Sequence, residues 1–223
     1  MTFSIVARCP ASGQFGAAVA SSSPAVASRC IRGRQGVGAA ASQNITDPDL
    51  GPALLDLLAT GRTPAEAVQA LRSRPFIEYR QLMAIDATHP PVVFTGAQAL
   101  GTLADVTGTH AACAGNMLAS RDVPMAMLSA FEAAKGSLAE RLMQAMVAGQ
   151  AAGGEQGPVH SAGLLVYGEQ QWPIVDLRLD WVENDPVGAL YQTWKLYEPQ
   201  LPAYITRALD PRAAPSFGVP GNL

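Results

Sequence analysis

The sequence predicts an α+β fold, a four-layer αββα sandwich in which two antiparallel sheets are flanked by helix pairs. Two observations carry this prediction. The 223 residues are 48% hydrophobic and 15% charged, which is enough apolar material for one large domain. Strand patterns occur in three groups separated by pairs of amphipathic helices. This order fits neither the strict βαβ alternation of a doubly wound sheet nor an all-β protein.

The chain opens on a strand pattern. In residues 1–7, Thr2 and Ser4 fall on one face and apolar side chains on the other, which is the alternation of a half-buried strand. Two further strands of unusually small side chains are predicted at residues 14–21 and 37–43. Glycine in a strand often marks the close approach of a ligand or of another backbone. We therefore expect this opening sheet to leave room beside it.

Helices and strands follow in blocks. A leucine stripe from Leu50 predicts a helix that ends near Gly61, and Thr63 with Glu66 forms a capping box that begins the next helix. We predict one domain over residues 1–209 and a tail over residues 210–223. The remaining predicted helices cover residues 123–135, 138–150 and 187–197, and the remaining predicted strands cover residues 79–86, 92–96, 109–114, 161–167 and 174–179.

Composition and charge argue against several classes of protein. The net charge of −3, without a Lys/Arg-rich run, gives no reason to expect nucleic-acid binding. No apolar stretch reaches the roughly 18 residues of a membrane span. The first residues carry no secretory signal pattern, and the three cysteines form no Cys-x-x-Cys pair.

We predict a cytoplasmic protein that acts on a small molecule without a metal or cofactor. We also predict a homodimer, because the helices are rich in Ala and Gly and the tail is apolar.

The sequence lacks the common catalytic and binding motifs. Residues 33–38 are glycine-rich but lead into a strand, which argues against a phosphate-binding loop. His89, His110 and His160 lack the spacing of metal ligands. Cys113 and His110 are three residues apart on a strand, so their side chains point to opposite faces and cannot easily pair as nucleophile and base. A Gly-x-Ser-x-Gly motif is also absent.

Thr2 is the remaining candidate nucleophile. If Met1 is removed, Thr2 carries both a hydroxyl and a free α-amine, which is a nucleophile with its own base. The α-amine has an unperturbed pKa of about 7.7–8.0, close enough to neutrality to accept the hydroxyl proton. The alternative is that Thr2 only opens a strand.

A set of short motifs extends over residues 2 to about 190. These motifs are the opening Thr-Phe-Ser-Ile-Val-Ala-Arg, residues 13–21 and 36–39, Arg80-Gln81, Asp86, Thr95-Gly96, residues 115–118, Gly153-Gly154, Ser161-Ala162 and residues 176–180. In order and spacing they resemble an uncharacterised bacterial family of Ntn (N-terminal nucleophile) hydrolases, of which this chain looks like a divergent member. The resemblance implies the αββα sandwich and a terminal Thr, Ser or Cys that attacks an amide carbonyl.

Three places depart from the pattern of that family. Cys9 stands where an acidic residue is expected, residues 157–160 replace an Arg-Gly-Arg-Gln run, and residues 180–182 replace Asp-Asp-His. The loss of two arginines beside the expected pocket would change which anion the site holds. The resemblance therefore supports the fold and the nucleophile more strongly than any substrate.

The predicted catalytic residues are Thr2, as nucleophile, and Asn116, as donor to the oxyanion. Asn116 lies just past a strand end and could instead serve only as a turn residue. Arg80 is the candidate for binding a substrate carboxylate, with an ion pair to Asp86 or Asp176 as its alternative role. The predicted substrate-binding residues are Ser4, Ser21, Gln43, Arg80, Gly115 and His160.

The sequence thus predicts an amidohydrolase of the Ntn type. It would cleave the C–N amide bond of a small, carboxylated amide or ureido compound through Thr2 after removal of Met1. Two alternatives stay open: a cyclic-amide hydrolase or deaminase in the same cleft, and a non-catalytic binding or assembly protein that keeps the fold. The state of the N-terminus separates the catalytic from the non-catalytic reading, because a retained Met1 blocks the amine.

Overall fold

The computed structural model of the protein describes residues 1–216, and its strands form two antiparallel sheets that face each other. The first sheet has six strands in the order β10-β9-β2-β1-β8-β7, and the second has four in the order β3-β4-β5-β6. The strands are β1 (Thr2–Cys9), β2 (Gln14–Ser21), β3 (Ile31–Arg34), β4 (Gly38–Asn44), β5 (Arg80–Ile85), β6 (Val92–Thr95), β7 (Ala104–Thr107), β8 (Ala111–Asn116), β9 (Ser161–Tyr167) and β10 (Pro173–Leu179).

Helices cover the outer face of each sheet. Helices α2 and α3 pack on the four-stranded sheet, and helices α4, α5 and α6 pack on the six-stranded sheet. Among residues 1–216, none of the helices combines the length and the apolar character that crossing a bilayer requires. The helices are α1 (Val26–Cys30), α2 (Leu50–Ala59), α3 (Pro64–Leu71), α4 (Val123–Ala133), α5 (Leu138–Ala151), α6 (Pro186–Tyr197) and α7 (Leu201–Leu209), and short 3-10 turns occupy Ile77–Tyr79, Glu198–Gln200 and Pro211–Ala213.

Strand β1 lies inside the six-stranded sheet and is buried on both faces. Phe3 and Ile5 belong to the core under helices α4 and α5, whereas Val6 belongs to the core between the two sheets. Because side chains alternate along a strand, Thr2 and Ser4 share the face of Val6. The period of two therefore directs both hydroxyl side chains toward the facing sheet.

The small side chains of β2 and β4 let the two sheets pack closely. Ala17, Ala39 and Ala41 are fully buried between the sheets. The expectation that the opening sheet leaves room beside it is therefore wrong, because the facing sheet occupies that space.

The four-layer αββα sandwich is confirmed, with differences in detail. The six-stranded sheet carries three helices instead of a pair, since α6 also packs against it. Strand β3 was not predicted, because its four residues are too few for a periodic pattern. Strand β7 and helices α1 and α7 were not predicted either; α1 has only five residues, and its preceding Ala25 adopts a left-handed conformation with φ 52°. The single domain over residues 1–209 stays a prediction. Residues 217–223 of the predicted tail lie outside the described residues.

Glu140 joins α5 to α6, and its loss is expected to destabilise the fold. Burial raises the pKa of Glu140, but hydrogen bonds outweigh it and lower that pKa to about 2. Its carboxylate accepts from Lys195 Nζ and Tyr191 Oη at 2.7 Å, from Trp194 Nε1 at 2.9 Å and from Gln144 Nε2 at 3.0 Å. We expect Glu140→Gln to lower the free energy of unfolding by about 1.5–3 kcal/mol at pH 7.

Urea denaturation at several pH values tests this prediction. The folded-state pKa of Glu140 lies below its ordinary value of 4.5, so the stabilisation is present above that value and is lost as the pH falls toward 2. The difference between wild type and Glu140→Gln should therefore shrink below pH 4.5. Glu198→Gln is the matched control, because Glu198 contacts the same Lys195 at 3.1 Å but its side chain is 37% exposed, against 14% for Glu140. A Glu140→Gln variant no less stable than Glu198→Gln at pH 7 contradicts the prediction.

Candidate active site

A row of buried polar side chains lies between the two sheets, at the end where β1 begins. Each member has the strand position that faces the inter-sheet core, because an apolar neighbour two or four residues away belongs to that core. Thr2 is only 4% exposed, and the others are buried more completely. We call this row the polar cluster; its members are Thr2, Ser4, Ser21, Gln43, Gln81 and Asn116.

Hydrogen bonds connect the polar cluster across the gap between the sheets. Ser4 Oγ donates to Gln43 Oε1 at 2.5 Å, which joins β1 to β4. Gln43 Nε2 donates to Gln81 Oε1 at 2.7 Å and to the carbonyl oxygen of Ala114 at 3.3 Å. Ser4, predicted from the sequence to bind the substrate, thus holds Gln43 in position. A connected network of this kind fixes the side chains because each loses a partner if it rotates.

Gln81 is the centre of the network, although sequence reasoning did not select it. Its Nε2 donates to Thr95 Oγ1 at 3.0 Å and to the carbonyl oxygen of Gly115 at 3.3 Å. Its Oε1 accepts from Asn116 Nδ2 at 3.3 Å in addition to Gln43. The sequence allows this position to be predicted, because Gln81 and Met83 are two residues apart in β5 and therefore share the face that Met83 buries between the sheets.

Asn116 lies directly opposite Thr2 in the pairing of β1 with β8. One of its two amide hydrogens is used by Gln81. Its Oδ1 is buried and, among the residues that the structure describes, accepts no hydrogen bond. A buried amide oxygen without a donor is uncommon in folded proteins. Asn116 therefore offers both a donor and an acceptor beside Thr2.

The carbonyl oxygen of Met1 is held by two hydroxyl groups. Thr2 Oγ1 donates to it, and so does Ser21 Oγ, at 2.5 Å. Ser21 Oγ in turn accepts from the backbone N–H of Ser23 at 3.0 Å, which fixes the direction of its own proton. The peptide carbonyl of Met1 therefore lies beside the Thr2 hydroxyl, and its oxygen also accepts from a second donor, the Ser21 hydroxyl.

The glycine-rich loop before β9 brings a carboxylate to the same place. Glu155 is only 4% exposed, and its backbone pairs with Leu118. Burial raises the pKa of Glu155, while Ser22 and the charged amino terminus lower it. Burial likewise lowers the pKa of the Met1 amine, and the Coulombic attraction of Glu155 raises it. Glu155 was not predicted, because residues 151–160 lie between a predicted helix and a predicted strand; its one visible signal is that it is the sole acidic residue among these ten.

His160 and Gly115 contact residues of the polar cluster through backbone groups. The N–H of His160 donates to the carbonyl oxygen of Ser21 at 2.9 Å. The imidazole stacks on Trp181 with ring centroids 4.2 Å apart, and its Nδ1 lies 3.1 Å from the carbonyl oxygen of Val182. Two segments that depart from the family pattern, residues 157–160 and 180–182, therefore pack against each other. A Cβ on Gly115 would overlap Cδ2 of the buried Leu118, so a side chain there would require Leu118 to move.

The structure does not bring Arg80 to the polar cluster. Arg80 lies on the face of β5 that Leu82 presents to the helices, opposite to Gln81. Its guanidinium donates to the carbonyl oxygen of Ile45. The alternative ion pairs are absent as well among the described residues, since Asp86 contacts Arg8 and His89, and Asp176 contacts Arg178. The predicted carboxylate-binding role of Arg80 is therefore wrong in its geometry.

Cys113 behaves as a structural residue. It is fully buried on the helix-side face of β8, and burial raises the pKa of its thiol well above the ordinary range. His110 instead contacts Arg8 Nε at 3.3 Å.

A cavity of about 270 Å³ lies at the end of β1 opposite to Thr2. It is lined in part by Arg8, Cys9 and Phe15, and it does not reach the polar cluster.

Comparisons with known proteins identify a family whose model covers the same residues as the short sequence motifs. A family model described as "Family of unknown function (DUF1028)" matches residues 2–190. The crystal structure of the protein SPO2555 from Silicibacter pomeroyi, assigned to the same family model, is 33% identical, with 88% of each chain covered and a TM-score of 0.82. No curated protein matches this chain.

Two more distant solved structures share weaker similarity. Anbu (ancestral beta-subunit) from Yersinia bercovieri is 12% identical with a TM-score of 0.41, covering 91% of this chain and 97% of its own. Thiobacillus denitrificans BPH, solved in complex with epoxomicin, is 13% identical with a TM-score of 0.38, covering 76% of this chain and 100% of its own. The family model spans most of the sequence and the Silicibacter protein aligns over nearly its full length, so the chain belongs to the DUF1028 family.

Proposed function

We propose that the protein is an amidohydrolase of the Ntn type, in which Thr2 becomes the nucleophile once Met1 is removed. The observation that carries the proposal is the carbonyl of Met1, which is held between the hydroxyls of Thr2 and Ser21. A substrate carbonyl that replaces Met1 would find the same two hydroxyls. The substrate of this proposal is a small molecule with a C–N amide bond.

The mechanism uses the two groups of the terminal threonine. Its α-amine, freed from Met1, takes the proton of Thr2 Oγ1 as that oxygen attacks the carbonyl carbon. The oxyanion that forms accepts hydrogen bonds from Ser21 Oγ and from the second amide hydrogen of Asn116. Collapse breaks the C–N bond, and the leaving amine takes the proton from the α-amine. Water then cleaves the resulting ester, and the α-amine again acts as base.

The buried surroundings of Thr2 support this role. Burial disfavours a charged amine, so the α-amine of a free Thr2 would have a pKa below that of an exposed terminus. The neutral amine is the form that accepts a proton. Because Arg80 lies on the other face of β5, nothing in this cluster supports the predicted preference for a carboxylated substrate.

Covalent labelling of the N-terminus tests the proposal. We expect intact mass measurement of the purified protein to show loss of Met1, and a β-lactone to add its mass to the peptide that begins at Thr2. A protein whose Met1 is retained by an N-terminal extension is the matched control and should stay unlabelled, because its amine is an amide. Equal labelling of the two forms, or labelling at another residue, would contradict the proposal and favour a different function for this fold.

A further inference from the structure

The position of Met1 reports how an acyl group fits beside Thr2. Its carbonyl oxygen contacts the hydroxyls of Thr2 and Ser21. Its side chain lies against Gly157, where an added Cβ would be 3.2 Å from Met1 Cε. Burial lowers the pKa of its amino group, one carbon from the carbonyl, and the charge of Glu155 raises it, although the two groups form no ion pair. An acyl group transferred to Thr2 Oγ1 would start from nearly the same place, since Oγ1 already contacts this carbonyl.

Glu155 is a buried carboxyl group without an ion-pair partner among the described residues. It is 4% exposed, and neither oxygen accepts a hydrogen bond of normal geometry from the residues that the structure describes. A buried carboxylate is costly unless it is paired and hydrogen-bonded. The loop geometry fixes its place, because the chain on either side pairs with residues 117–119 through Ala119 N to Gly154 O and Gln156 N to Met117 O. Ser22 and the amino terminus lower the pKa of this acid, but its oxygens have no hydrogen-bond partner among the described residues, so it is arranged to meet a cation that arrives with the substrate.

We propose that Glu155 binds the free α-ammonium group of the substrate, so that the amidohydrolase acts on aminoacyl amides, which carry a primary amine one carbon from the scissile carbonyl. This inference rests on the proposed function of Thr2. Met1 shows the same spacing of ammonium, carbonyl and apolar side chain. The ammonium keeps Glu155 ionised, because a nearby opposite charge favours the charged form of a carboxyl group.

The reaction balances without any further reactant. Thr2 Oγ1 forms an ester with the aminoacyl carbonyl, and the amide nitrogen leaves as a free amine with the proton from the hydroxyl. Water then yields the amino acid and regenerates Thr2. Glu155 takes no part in these bond changes and binds only the ammonium of the acyl portion. The competing role for Glu155 is to orient the α-amine of Thr2, which would affect every substrate alike.

A pair of probes separates these roles. We expect the mature wild-type enzyme to hydrolyse L-methionine p-nitroanilide with a kcat/KM about 10²-fold above that for N-acetyl-L-methionine p-nitroanilide, which lacks the ammonium. Glu155→Gln should lower kcat/KM for the free-amine probe by about 10²-fold and change the acetylated probe by less than about threefold. Glu169→Gln, on the exposed turn before β10, is the matched control and should behave as wild type.

Each other outcome has a definite meaning. An equal loss on both probes, or a wild-type preference for the acetylated probe, overturns the inference. If neither probe is turned over, the proposed catalytic role of Thr2 has failed, and the role of Glu155 is then tested by binding alone. Calorimetry measures the binding of L-methioninamide and of its N-acetyl form to Met1-free protein. Binding of the free amine that Glu155→Gln abolishes supports the inference, and absence of such binding overturns it. Thermal unfolding checks that Glu155→Gln is folded; if it is not, Glu155→Asp should bind the free amine while still rejecting the acetylated form.

Discussion

Replacement of Thr2 by alanine is expected to lower amide turnover by about 10³-fold or more, because it removes the attacking oxygen and leaves only binding and oxyanion stabilisation. Alanine is small, so it permits removal of Met1 as threonine does. The substitution leaves the backbone pairing of Thr2 with Asn116 intact, and within residues 1–216 the Thr2 side chain makes one hydrogen bond, to Met1. Steady-state kinetics on the p-nitroanilide probes measure the loss.

Thr2→Ser is the matched control for this prediction. Serine retains both the hydroxyl and the α-amine, and we expect its turnover to stay within about tenfold of wild type. Circular dichroism and thermal unfolding should show both variants folded, since the strand position and its neighbours are unchanged. Turnover by Thr2→Ala equal to that of wild type would show that another residue carries the chemistry, and the Ntn proposal would then be abandoned.

The sequence divided β1 into its two faces correctly because strand periodicity is a local property, but the expectation of a half-buried strand is wrong, since both faces are buried. Phe3 and Ile5 are apolar and Thr2 and Ser4 are polar, so seven residues were enough to divide the strand into two faces. The same rule, applied to β5, distinguishes Gln81 from Arg80. The prediction chose the charged residue for its chemistry, whereas the parity set by Met83 places Gln81 at the site.

Contacts between distant segments could not be predicted in this way. Glu155 reaches the amino terminus because a loop of positive-φ glycines, Gly153 at 114° and Gly154 at 58°, turns the chain beside Phe3. The stacking of His160 on Trp181 joins residues 21 positions apart in two loops. Neither contact leaves a periodic pattern in the sequence, since loop geometry depends on tertiary packing. Small side chains in β2 and β4 were misread for a related reason, because the same pattern accompanies a cavity and a close sheet-to-sheet contact.

Ser21→Ala is expected to lower kcat by about 10²–10³-fold, equivalent to about 2.7–4 kcal/mol of transition-state stabilisation. Ser21 Oγ lies 2.5 Å from the carbonyl oxygen that the proposal treats as the site of the oxyanion, and Ser23 N–H holds it in that direction. A donor aimed at developing charge acts mainly in the transition state, so KM should change much less than kcat. Steady-state kinetics on the mature enzyme separate the two parameters.

Ser42→Ala provides a matched control, because Ser42 and Ser21 are both 1% exposed. Ser42 lies near the end of β4 and donates at 3.0 Å to the carbonyl oxygen of Asp47, away from the polar cluster. Each variant loses one buried hydroxyl and should lose a similar stability, about 1 kcal/mol. Stability alone therefore cannot produce a difference in kcat between them. If kcat falls equally in both variants, or if Ser21→Ala stays within threefold of wild type, the oxyanion is stabilised elsewhere, and the second amide hydrogen of Asn116 becomes the donor to remove next.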